Sequence, residues 1–133
     1  MLYDLKIENT RIIILDNLLK NQYLNYFFVS FCLLILINGS NLIDGLNTNV
    51  IGYYLIISIL LLQTNFISDL AFSKMQWILW TISLSIVYIF NFLKKIFLGD
   101  NGSYILAFIY GIFLIEFYSN NNYVSPFFII AIL

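Results

Sequence analysis

No charged residue interrupts the chain from Gln22 to Ile43, from Leu46 to Ser68, from Met75 to Leu93 or from Asn101 to Ile115. A helix needs about 20 mostly apolar residues to cross the hydrocarbon core of a bilayer, and about 17 at the short end. The apolar blocks therefore predict four full spans, Tyr23 to Ile37, Val50 to Leu62, Met75 to Phe92 and Ser103 to Tyr118, and an incomplete fifth from Val124 to Leu133. The first, second and fourth blocks are long enough only if Asn38, Gln63 and Ser119 carry the helices on into the interfaces. Composition agrees: 62% hydrophobic residues, 10% charged residues and a mean hydropathy of +0.92 lie outside the range of soluble domains. The expected fold class is an all-α, polytopic transmembrane helix bundle.

The same counts exclude several kinds of chemistry. Net charge is −1 and the six Lys/Arg are scattered, so no basic stripe exists to grip a nucleic-acid backbone. Cys32 is the single cysteine and histidine is absent, which removes disulfide frameworks, thiolate metal sites and every histidine-based triad. Catalysis in such a chain must run on carboxylates, amides, hydroxyls and metal ions. Met1 to Gln22 holds Asp4, Glu8 and Asp16 and no small-residue cleavage site, so it does not read as a signal peptide. Within it, the β-branched run Arg11-Ile12-Ile13-Ile14-Leu15 predicts a short strand on the membrane surface. Tyr53, Tyr54, Trp77, Trp80, Tyr118 and Tyr123 lie near block ends, where aromatic rings sit at headgroup level. The last run ends on Ala131-Ile132-Leu133 without a polar flank, which reads as a span cut short.

Polar residues gather in two islands at span ends, Asn38-Gly39-Ser40-Asn41-Leu42-Ile43-Asp44-Gly45-Leu46-Asn47-Thr48-Asn49 and Lys94-Lys95-Ile96-Phe97-Leu98-Gly99-Asp100-Asn101-Gly102-Ser103. Two spans separate them, and an even number of crossings returns the chain to one face, so Asp44 and Asp100 can share a site. Asn38, Asn41, Asp44 and Asn47 recur every third residue, which on a continued helix forms one stripe. Asp100 stands between Gly99 and Gly102, where a Cβ-free backbone can approach a phosphate, with Ser103 placed to cap the next helix. A carboxylate beside a helix N-terminus suits a hard cation that bridges phosphates. Asp-Asn-Gly is equally an ordinary turn sequence, so spacing alone leaves both readings open. Glu116, near the outer end of the fourth block, is expected to snorkel to the interface.

The pattern Asn38-x-x-Asn41-x-x-Asp44-Gly45-Leu46-Asn47, followed two spans later by Lys95-Ile96-Phe97-Leu98-Gly99-Asp100-Asn101-Gly102-Ser103 with Asn91-Phe92 ahead of it, resembles the polyprenyl-phosphate N-acetylhexosamine-1-phosphate transferases of glycosyltransferase family 4. The resemblance runs from about Leu15 to the end. Asn47, where the peptidoglycan enzyme usually has a second aspartate, is closer to the undecaprenyl-phosphate GlcNAc-1-phosphate branch that begins lipopolysaccharide and other cell-envelope glycans. The resemblance implies a multi-pass protein of the bacterial inner membrane. Such an enzyme transfers a sugar-1-phosphate from a UDP-sugar to a polyprenyl phosphate, releases UMP, and forms a homodimer when complete. It implies Mg2+ as cofactor, replaceable by Mn2+, with Asp100 as its ligand and Asp44 and Asp100 as catalytic residues. Phe97 would stack on uracil, Asn41 and Asp44 would face the nucleotide-sugar, Asn38 and Gly45 would shape that segment, and Asn47 would join the substrate-binding residues. Lys95 would add positive charge near departing UMP, beside Asn101, Gly102 and Ser103. Leu93 replaces a frequent proline, which should alter loop rigidity.

On this reading residues 1–22 are extracytoplasmic, residues 23–133 form part of the transmembrane core, and the motif loops 38–49 and 93–103 face the cytoplasm. Lys94 and Lys95 then lie inside, but Lys6, Arg11, Lys20 and Lys74 lie outside, against the usual bias of basic residues. Two family elements, an adjacent aspartate pair on an earlier loop and a late histidine-containing loop, are not among these 133 residues. The chain by itself is therefore expected to release no UMP. The alternative is a non-catalytic membrane partner or a relic of such an enzyme, and a transporter is disfavoured because mid-span polar residues are limited to isolated serines such as Ser58, Ser83 and Ser85.

Overall fold

The computed structural model describes residues 5–7, 9–44, 48–63, 73–121 and 123–125, the side chain of Asp44 excepted. The described residues hold five helices and no strand: α1 (Ile13–Leu19), α2 (Gln22–Asp44), α3 (Asn49–Gln63), α4 (Lys74–Phe92) and α5 (Gly99–Asn120). Three of them, Gln22–Ile43, Lys74–Phe92 and Gly99–Asn120, are long and apolar enough to cross a membrane, whereas Asn49–Gln63 is shorter. The chain forms two compact units, residues 1–39 with 107–133, and residues 40–106.

Three expectations need correction. The Arg11–Leu15 strand is not formed; Ile13 onward is helical, because a lone strand has no partner for its N–H and C=O groups whereas a helix satisfies them internally. α2 continues through Asn38 and Asn41 to Asp44, so most of the first island is helix rather than loop. α5 begins at Gly99, so Ser103 does not cap it; its hydroxyl donates back to the Asp100 carbonyl at 2.8 Å from a fully buried position. The expected fifth run lies outside the described residues from Pro126 onward.

The aromatic belt also loses members. Tyr54, Trp77 and Tyr118 are buried, while Tyr123 is exposed. The Trp77 indole N–H donates to the Ser58 carbonyl at 3.2 Å, and Tyr54 and Ser40 share a hydrogen bond between their hydroxyls. A buried ring with a polar handle keeps its position only when that handle finds a partner. The outward positions are apolar instead: Met75, Leu79, Ile82, Ile86 and Ile89 follow one another at three- and four-residue steps along α4, all exposed. Water would penalise such a stripe, and lipid does not. Thr81, Ser83 and Ser85 hide their hydroxyls by donating to carbonyls four residues back, which suits an apolar solvent.

In the first unit, Ile7, Val29 and Tyr118 form a core with Leu33 and Ile115 packed on it. α5 approaches α2 closely at Gly111, where a Cβ would stand 2.5 Å from Leu33 Cδ2 and 3.2 Å from Leu36 Cδ2. Small residues permit such contacts between membrane helices. Gly111→Val is expected to cost about 1–3 kcal/mol through overpacking, read as a lower Tm in detergent; an unchanged Tm would remove Gly111 from the α2–α5 contact.

In the second unit α3 and α4 form an antiparallel hairpin. Gly52 near the start of α3 faces Tyr88 near the end of α4, and Ser58 further along α3 meets Trp77 near the start of α4. Ser73 opens α4 with a capping box, accepting from the Gln76 N–H while Gln76 Oε1 accepts from the Ser73 N–H at 2.8 Å. At the other end the Lys95 N–H donates to the Phe90 carbonyl and the Lys94 N–H to the Asn91 carbonyl, both at 2.9 Å, a Schellman closure with Lys94 at φ 56°. Glycine is the residue that adopts this φ without strain, so Lys94→Gly is expected to stabilise the chain by about 0.5–1 kcal/mol. A fall in Tm would show that the lysine side chain contributes more than its backbone strain costs.

Candidate active site

The hairpin decides where the two polar islands stand. Because α3 and α4 run antiparallel, Thr48 and Asn49 at the start of α3 lie at the same end of the second unit as Phe92 and the segment 93–98 that follows α4. The Ser40–Tyr54 hydrogen bond ties the last turns of α2 to that end of α3. Asn41 and the last turn of α2, the 93–98 segment and the first turn of α5 therefore cluster at one end.

Asn91 closes the 93–98 segment on itself: its side-chain Nδ2 donates to the Ile96 carbonyl at 3.0 Å, while its Oδ1 is buried without a hydrogen-bond partner. With Lys94, Lys95, Ile96 and Phe97 it lines a cavity of about 250 Å³. Asn91 is only 5% exposed, and burying an acceptor without a partner is costly. Asn41 Oδ1 is a second buried acceptor without a partner. Phe97 is 71% exposed beside the same cavity, leaving a ring face open for stacking. Lys94 and Lys95 are exposed there as well, and their ammonium groups give the opening a positive rim.

Asp100 is exposed in the first turn of α5, directly after Gly99 at φ 66°, a conformation that glycine adopts freely. Its carboxylate is thus presented at a helix N-terminus. Gly102 serves packing: a Cβ there would lie 2.6 Å from Leu98 Cδ1, so the space is taken by Leu98 rather than held for a phosphate. Asn101 is exposed next to Asp100. Asn38 is exposed on α2 three residues before Asn41 and belongs to the other unit, and Gly45 and Asn47 lie outside the described residues.

Among the described residues no group of three or more Asp, Glu, Cys or His could cage a metal ion. A lone exposed carboxylate nevertheless fits a magnesium ion, which is bound through one or two carboxylates plus substrate phosphates and keeps its waters. The residue that sequence reasoning undervalued is Asn91. It was visible as an amide in the last turn of an otherwise apolar span, where a polar group is costly unless it serves a site.

Searches of curated proteins and of solved structures return no match. The family model described as Glycosyl transferase family 4 matches residues 1–118. That match covers nearly all of the helical chain and both polar segments, and the outward apolar faces make the chain a membrane protein. The chain belongs to glycosyl transferase family 4.

Proposed function

We propose that residues 38–103 carry the nucleotide-sugar side of the active site of a transferase that moves an N-acetylhexosamine-1-phosphate from a UDP-sugar to a polyprenyl phosphate at the cytoplasmic face. The observation that carries this reading is the antiparallel α3–α4 hairpin, which returns the ends of α2 and α4 and the start of α5 to one place. Phe97 offers a stacking face for the uracil ring beside the cavity that Asn91 helps to line. Lys95 and Lys94 bring positive charge to the mouth of that cavity, where the departing UMP phosphate gathers negative charge.

In the reaction an oxygen of the lipid phosphate forms a bond to the sugar-bearing phosphorus, and the bond from that phosphorus to the bridging oxygen breaks, leaving the electron pair on UMP. Positioning and charge neutralisation make up most of the catalysis in such a transfer. A magnesium ion held by Asp100 would neutralise the pyrophosphate oxygens. Asn41 and Asp44, one helical turn apart at the end of α2, would orient the nucleotide-sugar.

The test is a graft: a complete family member whose matching stretch is replaced by residues 38–103, assayed for UMP release from a UDP-N-acetylhexosamine and undecaprenyl phosphate. Turnover within about an order of magnitude of the parent is expected. A graft that keeps its parent's Tm yet releases no UMP would overturn the assignment and favour a non-catalytic role for this chain.

A further inference from the structure

The segment before α2 is pinned across the first unit. Asn25 accepts from the Ile7 N–H at 3.1 Å and donates to the Ile7 carbonyl at 2.8 Å; the Tyr118 hydroxyl donates to the Thr10 carbonyl at 2.9 Å; Ser119 donates to the Lys6 carbonyl at 3.0 Å. Arg11 stacks its guanidinium over the Tyr118 ring, 4.8 Å from the centroid, and donates to the Asn121 carbonyl. These bonds fix the walls of a cavity of about 520 Å³ at the N-terminal end of α2, where Lys6, Lys20, Asp16, Asn9, Gln22 and Asn25 supply the polar lining.

The charged side chains of this cavity are two lysines against one carboxylate, and part of the acceptor capacity is already spent. Asp16 Oδ1 already accepts the Thr10 N–H at 2.6 Å and the Thr10 hydroxyl at 2.5 Å, Asn25 Oδ1 accepts from Ile7, and Asn9 Oδ1 accepts the Arg11 N–H at 2.8 Å. Lys20 donates one of its three N–H groups to Asn17 Oδ1 at 3.0 Å, and Lys6, whose ammonium stands 5.9 Å from the centroid of the Tyr26 ring, brings a second positive charge to the lining. A cavity with two ammonium groups against one carboxylate, one oxygen of which already accepts two hydrogen bonds, carries net positive charge and favours an anion. Its size fits a small headgroup, and its place at the end of a 22-residue span is headgroup depth.

We propose that this cavity binds the phosphate group of an anionic membrane lipid. The inference stands on the first unit alone and does not depend on the transferase reading. It also accounts for basic residues clustering at the end of α2 away from Asp44, a placement that the bias of basic residues toward the cytoplasm leaves unexplained if the motif segments face inward.

The experiment measures lipid retained by the full chain after purification in detergent, with phosphatidylglycerol and uncharged diacylglycerol offered in equal amounts. Phosphatidylglycerol should be retained preferentially. Retention should fall about fivefold for each of Lys6→Gln and Lys20→Gln, fall to the diacylglycerol level in the double variant, and recover in Lys6→Arg/Lys20→Arg. Lys74→Gln, which removes the same charge elsewhere, should leave it unchanged. In a second arm, displacement of the lipid by millimolar inorganic phosphate assigns the affinity to the phosphate group itself, and resistance to displacement assigns it to the whole headgroup; both uphold the site. Equal retention in wild type and the double variant, or an equal loss in Lys74→Gln, would overturn it.

Discussion

Asp100→Asn in the grafted enzyme is expected to lower magnesium-dependent UMP release by about a thousandfold, the scale on which removing a single well-placed electrostatic contact acts in a transition state. The substitution is nearly isosteric. Asp100 is exposed in the first turn of α5, and among the described residues its side chain makes no hydrogen bond that the fold depends on. A change of about 0.3–1 kcal/mol is the most that losing a first-turn negative charge from a helix N-terminus should cost. Stability and activity therefore part company at this position, and the two readouts together discriminate. A large activity loss at nearly constant Tm places the carboxylate in the metal and phosphate chemistry. Near-normal turnover removes Asp100 from it and returns Gly99-Asp100-Asn101-Gly102 to the role of an ordinary turn and helix start.

The large features were legible because they follow from solvent. Uncharged stretches of span length cannot be hidden in a chain of 133 residues, and the outward stripe from Met75 to Ile89 is the folded form of that fact. The crossing count predicted one face for the two islands; in the second unit the antiparallel α3–α4 pair sets Asn49 and Phe92 at one end, although α3 is shorter than a span. What periodicity could not give was the inside of the bundle. Nothing in an apolar run distinguishes Trp77, which donates to Ser58 in the hairpin, from a ring at the headgroups, because both sit near a block end. The strand expected at Arg11–Leu15 failed for a related reason. β-Branched residues fit a strand only where a neighbour pairs with it, and here Thr10 and Asp16 close the chain into the start of a helix instead. The first island was bounded as a loop at 38–49, although its three-residue spacing already suited a continued helix. In a membrane helix the backbone holds its bonds through amides and glycine, so α2 runs on past Gly39.

Phe97→Ala should raise the Kd of the grafted enzyme for UDP by about ten- to a hundredfold, since stacking of a base on an aromatic ring contributes about 1–3 kcal/mol. Phe97→Tyr or Phe97→Trp should keep most of the affinity, because each retains a ring face, whereas Phe97→Leu should fall with alanine despite its similar hydrophobicity. Phe92 provides the internal control. It is exposed to a similar degree, 66% against 71%, but lies on the last turn of α4 rather than on the cavity wall, so Phe92→Ala should leave the Kd unchanged. Asn91 separates the ring from its support: Asn91→Ala removes the Nδ2 bond to Ile96 that closes the cavity wall, so it should weaken binding even with Phe97 intact. Aspartate at position 91 keeps an acceptor but loses the donor to Ile96 and adds charge, and it should bind no better than alanine. Equal losses at Phe92 and Phe97 would mean that the aromatic rings act only through lipid contact, and the cavity beside Asn91 would then have no claim to the nucleotide.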